Sequence, residues 1–230
     1  MIELVLRIEM ASSLHVGTGI GVTGLLDDCT AKDDLGLPII PGSTLKGKLR
    51  SLSRKLAPRL GWTTCQNGCD SSASPCLVCS IFGSAAFPAQ LAFASGKLAD
   101  LYYQMAKLQR QKGLETQFIN KLFQPRFGLR RRRETGVARD AGLFTEEVAG
   151  PDLTFWANVA GEIIAKEKRP YIDLAHELAL IAGAVTLLDH IGADKARGFG
   201  RCRASVSGIT VEGQSISPNS VWESLGQEVN

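Results

Sequence analysis

Fifteen residues, Gly36–Arg50, constrain this chain more than any other stretch: GLPIIPGSTLKGKLR. Pro38 and Pro41 hold the approach extended, because the residue before a proline is pushed out of the helical region. Gly42-Ser43-Thr44 then opens a helix, with a hydroxyl predicted to cap its free amides. Leu45, Leu49, Leu52 and Leu56 recur at helical spacing and form one apolar stripe. Lys46, Lys48, Arg50, Arg54, Lys55 and Arg59 fall mostly off that stripe, with no acidic residue among them. A helix amino terminus followed by cations suits phosphate. A solvated amphipathic helix would carry the same charges; the Pro-Gly-Ser-Thr lead-in, with basic residues directly behind it, favours a polyanion.

The rest of the charge is unevenly placed. Net charge is only +3, which says little about partners. Asp27, Asp28, Asp33 and Asp34 crowd one loop, whereas basic residues crowd the helix after it and the segment Arg126–Arg139. Such separation suits a polyanion lying on cations while carboxylates reach one point on it. Met1–Met10 contains Glu3, Arg7 and Glu9, unlike a signal peptide, and no apolar run is long enough to span a bilayer. A cytoplasmic protein with no membrane partner is expected.

The 230 residues suffice for one large domain with insertions. Ile2–Met10 alternates apolar and polar and predicts a half-buried strand. Gln90–Leu98, Leu153–Ile164 and Arg203–Thr210 predict further strands. The first helix should end near Pro58. A second strong helix, capped by Asp173, carries the stripe Leu174, Leu178, Ile181, Val185 and Leu188. Ala99–Phe123 predicts a helix with a partial face of Leu101, Met105, Leu108 and Lys112. Strand, helix, strands, helix, strand is the order of an α+β, ferredoxin-like (RRM-like) βαββαβ domain, with both helices on one face of an antiparallel sheet. The expected organisation is a single domain, 1–230, with a metal-binding insertion at 62–80 and a protruding hairpin at 125–150. The tail Glu212–Asn230 is polar and expected to be peripheral.

Four sets of residues carry chemistry. Cys65, Cys69, Cys76 and Cys79 follow C-x3-C-x6-C-x2-C, enough thiolates to close a tetrahedral zinc with no open position, hence a structural site. Cys29 and Cys202 stand apart and read as free thiols. Arg126, Arg130, Arg131, Arg132, Arg133 and Arg139 share a segment with Phe123, Phe127 and Phe144. Arginine grips phosphate and stacks on bases, and aromatics stack as well, so nucleic acid, RNA first, is the expected ligand; a solvated charge run is the plainer account. Arg197-Gly198-Phe199-Gly200-Arg201 allows close backbone approach between two cations, or is simply a turn. In the acidic loop, Asp27 or Asp28 could position a divalent metal or orient a ribose 2′-hydroxyl for in-line attack. His15, in a glycine-flanked segment, is the alternative base for metal-free RNA cleavage.

Together these pieces resemble the backbone subunit of type III CRISPR interference complexes, in the RAMP superfamily. The resemblance rests first on Gly36–Arg50. It continues at Leu14-His15-Val16-Gly17-Thr18-Gly19, Cys76-Leu77-Val78-Cys79-Ser80-Ile81-Phe82-Gly83, Arg133-Glu134-Thr135-Gly136-Val137-Ala138 and Arg197-Gly198-Phe199-Gly200-Arg201. It implies a ferredoxin-like palm, a zinc insertion and a thumb hairpin. Copies would stack as a filament along a CRISPR guide RNA, beside other subunits of the complex. The thumb would interrupt the duplex with complementary target RNA at regular intervals. An aspartate would then cleave that target with magnesium or manganese. Lys32-Asp33 matches the basic-acidic pair that follows that aspartate, which puts Asp27 at the catalytic position, with Asp28 competing and Cys29 where proline is expected. The resemblance further implies guide contacts from Ser43, Thr44, Lys46, Lys48 and Arg50, with Arg130, Arg131, Arg132, Arg133, Arg197, Phe199 and Arg201 also on RNA. It makes His15 structural. An inactive RNA-binding scaffold of the same fold is the second reading.

Overall fold

The computed structural model describes residues 1–70, 74–113, 117–162, 174–218 and 221. The alternation of Ile2–Met10 becomes strand β1 over those nine residues, with Ile2, Leu4, Leu6, Ile8 and Met10 all buried on one face. Each such side chain contributes about 1.5–3 kcal/mol on leaving water. β1 is the central strand. It pairs antiparallel with β6 (Thr154–Gly161) on one side and β7 (Cys202–Val211) on the other. β2 (Leu91–Phe93) and β3 (Lys97–Leu98) add to β6, and β8 (Gln214–Ile216) adds to β7, giving the order β2-β6-β1-β7-β8. The register of β1 against β7 shifts between Val5 and Leu6. The bulge at Ser207 lets Ala204 and Ile209, an odd number of residues apart, both face the core.

Helix α1 (Gly42–Leu56) packs its stripe on that face: Leu45 and Leu49 are fully buried, Leu52 and Leu56 half-buried. A 3-10 turn, Ala57–Leu60, with Pro58 in its first turn, ends the helical run. The amino terminus corrects the expected cap. Pro41, extended at ψ 138°, occupies the cap position, and no side chain caps the helix. Ser43 and Thr44 therefore lie inside the first turn, where their hydroxyls cannot serve as caps. The Gly42 N–H instead donates to Ser95 Oγ.

Helix α5 (Leu174–Thr186) is not striped. Glu177 to Val185 are all buried, because α1 and β7 pack on it and Ser80 of α2 (Leu77–Phe82) donates to Glu177 Oε1 from another side. The expected cap Asp173 and the strand end at Ile164 fall outside the described residues. α3 (Asp100–Gln111) and α4 (Gln117–Lys121) occupy the predicted helical stretch. The supposed apolar face of α3 points outward, however: Leu101 is 64 % exposed and Leu108 53 %. Ala106 faces the core instead, between the half-buried Tyr102 and Tyr103 on one side and the exposed outer face on the other. Within the expected tail, β8 joins the sheet and Val221 is buried.

A second, two-stranded sheet is formed by β4 (Phe123–Arg131) and β5 (Ala138–Ala149). Its base is stitched to the rest by Leu14–Ala149 and Leu122–Gly150 backbone bonds. Among the described residues no helix is long and apolar enough to cross a membrane.

Candidate functional site

The base of the β4–β5 hairpin and the acidic loop form one unit. The Asp27 and Asp28 amides both reach the Thr145 carbonyl, at 2.8 and 3.4 Å, and the Glu147 amide donates to the Asp28 carbonyl at 2.9 Å. The loop is thus laid along β5 as an extra parallel edge, with a bridge between Asp28 and Glu146. Asp27 is exposed; its Oδ2 accepts from the Thr145 N–H at 2.7 Å, which leaves Oδ1 open to solvent. Asp28 is drawn inward. Its Oδ1 accepts from the Gly19 N–H, and its Oδ2 lies 3.4 Å from His15 Nε2. Of the two candidates, Asp27 is the more exposed, while the Asp28 side chain, 30 % exposed, is engaged through both oxygens. Beside it, Gly21–Asp27, Leu143 and Thr145 line a groove of about 500 Å³.

His15 is 2 % exposed, with Nδ1 bound to the Glu147 carbonyl at 2.8 Å. That carbonyl can only accept, so Nδ1 carries the hydrogen. Enclosed by Asp28, Thr30 and Glu147, the imidazole is out of reach of an RNA substrate, which corrects the reading of His15 as a base for metal-free cleavage. Its ligand atom lies within 4.8 Å of carboxylate oxygens of Glu146 and Asp194, a grouping able to hold a cation. A cation is already there: the Arg197 guanidinium pairs with both Glu146 and Asp194. These two pairings, the Asp194 bond foremost and opposed by burial, hold the guanidinium pKa above its ordinary value.

The same guanidinium lies 5.2 Å from the Phe144 ring centroid and 5.5 Å from that of Phe199, and Arg130 stacks over Phe144 at 5.4 Å. Arg130, Phe144, Arg197 and Phe199, from two distant sequence segments, thereby form one cation–aromatic stack. Arg131, Arg132 and Arg133 are exposed at the far end of the hairpin, where the Arg132 amide bonds the Val137 carbonyl across the turn. Arg201 is exposed, with its amide on Ser12 Oγ.

The remaining acidic-loop residues hold shape. Asp33 Oδ1 accepts the Leu35 and Leu37 amides, each at 2.9 Å, and Oδ2 accepts the Tyr103 hydroxyl at 2.6 Å. Burial and the Asp33 carboxylate push the Tyr103 phenol well above its ordinary value. Lys32 pairs with Glu147 at 2.8 Å and lies over the Phe123 ring at 4.3 Å. On α1, Ser43 is exposed and Thr44, Lys46, Lys48 and Arg50 are half-buried. Burial and Asp189 push the Cys202 thiol up to about 11 against the opposing charge of Lys48. Sequence reasoning missed Thr145, Glu146, Glu147 and Asp194. Glu146-Glu147 in an otherwise basic hairpin was the one available signal.

Cys65, Cys69, Cys76 and Cys79 bring four sulfurs within 4.8 Å of one another, with Cys65 Sγ 3.3 Å from Cys79 Sγ and 3.6 Å from Cys76 Sγ. Four thiolates about 2.3 Å from a tetrahedral ion sit roughly 3.8 Å apart, so the set fits one. Burial pushes the Cys69 thiol up to about 12. At Cys65 burial is outweighed by hydrogen bonds from its three partners and Gly68, which hold it down to about 7.

Fold and sites define a mixed α/β protein with antiparallel sheets, a four-cysteine cluster able to hold a metal ion and a carboxylate loop bound to a basic hairpin. The chain belongs to the RAMP superfamily, whose sequence pattern matches residues 7–203. It is 42 % identical over 57 residues to the CRISPR system Cms endoribonuclease Csm3 of Enterococcus italicus, a match spanning 24 % of this chain and 27 % of that protein. Its fold is similar to chains of type III-B Cmr-beta in the apo state and bound to cognate target RNA. Both have a TM-score of 0.60 at 15 % identity over 89 % of this chain, covering 97 % and 96 % of theirs.

Proposed function

We propose that this protein is the backbone subunit of a type III CRISPR effector, stacking as a filament on a guide RNA and cleaving complementary target RNA at regular intervals. The observation that carries the reading is the bonding of the Asp27 loop to the base of the basic hairpin. A hairpin that parts guide from target and a carboxylate fixed at its root would cut beside each interruption. Family membership, and a local match to a protein named as an endoribonuclease, support the chemistry. The strand order β2-β6-β1-β7, with α1 and α5 on one face, supports a ferredoxin-like palm; β4–β5 is then the thumb and the cysteine segment a zinc insertion.

Asp27 presents Oδ1 to the target and would hold a magnesium or manganese ion, which when bound stabilises charge developing on the phosphoryl oxygens. The Thr145 amide fixes the carboxylate through its other oxygen. Asp27 can then orient the 2′-hydroxyl for attack on the adjacent phosphorus. Exposed Arg130 to Arg133 on the hairpin and Ser43 to Arg50 on α1 would bind RNA backbone. Arg197 would act mainly by holding the hairpin root, with Phe199 beside it.

Assembled complex carrying Asp27→Ala should bind target RNA as the wild type does yet leave it intact, where wild-type complex with magnesium gives fragments of one fixed spacing. Cleavage that persists in that variant would overturn the assignment of Asp27. Wild-type complex that binds target but never cuts it would select the inactive-scaffold reading.

A further inference from the structure

A cleft of about 470 Å³ lies between α1 and the cysteine segment. Lys46 and Arg50 enter it from α1, four residues apart and so on one side of the helix. Asn67 and Gly68, between Cys65 and Cys69, form the facing wall, and Gly83 and Ser84, just after α2, form its end. Neither Lys46 nor Arg50 pairs with an acidic group among the described residues, and both are partly exposed. At the end wall Gly83, at φ +81°, packs closely on Ala89: a Cβ there would lie 2.8 Å from the Ala89 amide nitrogen. The ligand this cleft suits carries acceptors only, bears negative charge and matches a guanidinium fork, which describes a phosphodiester.

The two sides of the cleft are positioned by different means. The α1 side is fixed by the apolar core through Leu45 and Leu49. The facing wall hangs on the cysteines: Ser84 Oγ donates to the Cys69 carbonyl at 3.0 Å, and the Cys76 amide donates to Cys69 Sγ at 3.2 Å. Ser84 Oγ also accepts the Ala86 and Phe87 amides, so the turn after α2 moves with Cys69.

We propose that metal loading of the four-cysteine centre, by positioning the wall that faces Lys46 and Arg50, sets how tightly these two residues hold an RNA phosphodiester. The proposal rests on the RNA-binding reading above and adds a function to a centre otherwise assigned only to stability.

Fluorescence anisotropy with full-length protein and single-stranded RNA over a salt series tests it. Each phosphate no longer gripped should reduce the slope of log K against log salt by about 0.7. K46A/R50A should lower the slope by that amount or more and weaken binding about tenfold at ~0.1 M salt. Stripping the metal from the wild type should give the same lower slope, and should cost the K46A/R50A variant nothing further. Ala85→Asp places a carboxylate on the exposed rim of the cleft without touching a cysteine, and should reproduce the loss with metal bound. An unchanged slope in both variants, with wild-type binding intact, overturns the subsite and leaves RNA binding elsewhere on the chain. Equal loss from chelation in wild type and double variant overturns the coupling. A wild-type chain that binds no RNA at any salt removes the broader reading together with this one.

Discussion

Arg197 illustrates how a residue can look like a ligand contact and serve as a fastener. Its charge meets Glu146 on the hairpin and Asp194 beside it, and its flat face lies against Phe144 and Phe199. Arg197→Ala should lower stability by about 1 kcal/mol, since both pairings are charge-assisted but solvent reaches a third of the Arg197 side chain. A double-mutant cycle with Glu146→Ala, read by urea unfolding, should show coupling; additive effects would contradict the pairing. Tyr103 fastens the acidic loop in a similar way through Asp33. Tyr103→Phe should cost about 1–2 kcal/mol. Its phenol is raised in the folded state, so the neutral form is the one the fold favours. That contribution is complete below the ordinary phenol value of about 10 and is lost as pH climbs beyond it. A melting-temperature profile from pH 8 to pH 11 should therefore fall more steeply in the wild type than in Tyr103→Phe.

At the scale of elements, α1 depends on one close approach. A Cβ on Gly42 would lie 2.0 Å from the Phe93 carbonyl oxygen of β2, a backbone atom with no freedom to retreat. Gly42→Ala should destabilise by about 3 kcal/mol or more, visible as loss of soluble protein or a sharp drop in melting temperature. The Gly47→Ala change in the same helix meets open space and should be tolerated. The elements with one buried face were legible beforehand: β1, β6 and the Leu45–Leu49 side of α1 follow from period alone. α5 was legible as a helix from its stripe, but not as one buried on its other sides too, since Leu178, Ile181 and Val185 mark a single face while Glu177 to Val185 are all buried. α3 misled for the opposite reason, its apolar residues being spaced for a face that the fold leaves outside. The cysteine set was legible because ligand spacing is local. The pairing of residues 27–28 with β5 was illegible, since main-chain bonds between segments over a hundred residues apart leave no trace in side-chain type.

For the molecule as a whole, two anchors hold what the sheet cannot. The hairpin is tied at its root by backbone bonds and Arg197, and the cysteine segment by sulfur geometry. Chelation should lower the melting temperature by about 2–4 °C for each kcal/mol the metal contributes, with strand content by circular dichroism nearly unchanged. The main-chain pairing of the Asp27 loop with β5 also bears on inheritance and engineering. Because Thr145 engages Asp27 through its peptide group alone, its side chain can vary without breaking the bond to the carboxylate, whereas Glu146 and Glu147 also tie the unit through Arg197 and Lys32. Residues 26–30 and 143–149 therefore form one transplantable unit. A chimera that exchanges the loop alone between two relatives inherits a mismatched partner edge, whereas one that exchanges both segments carries its own alignment with it.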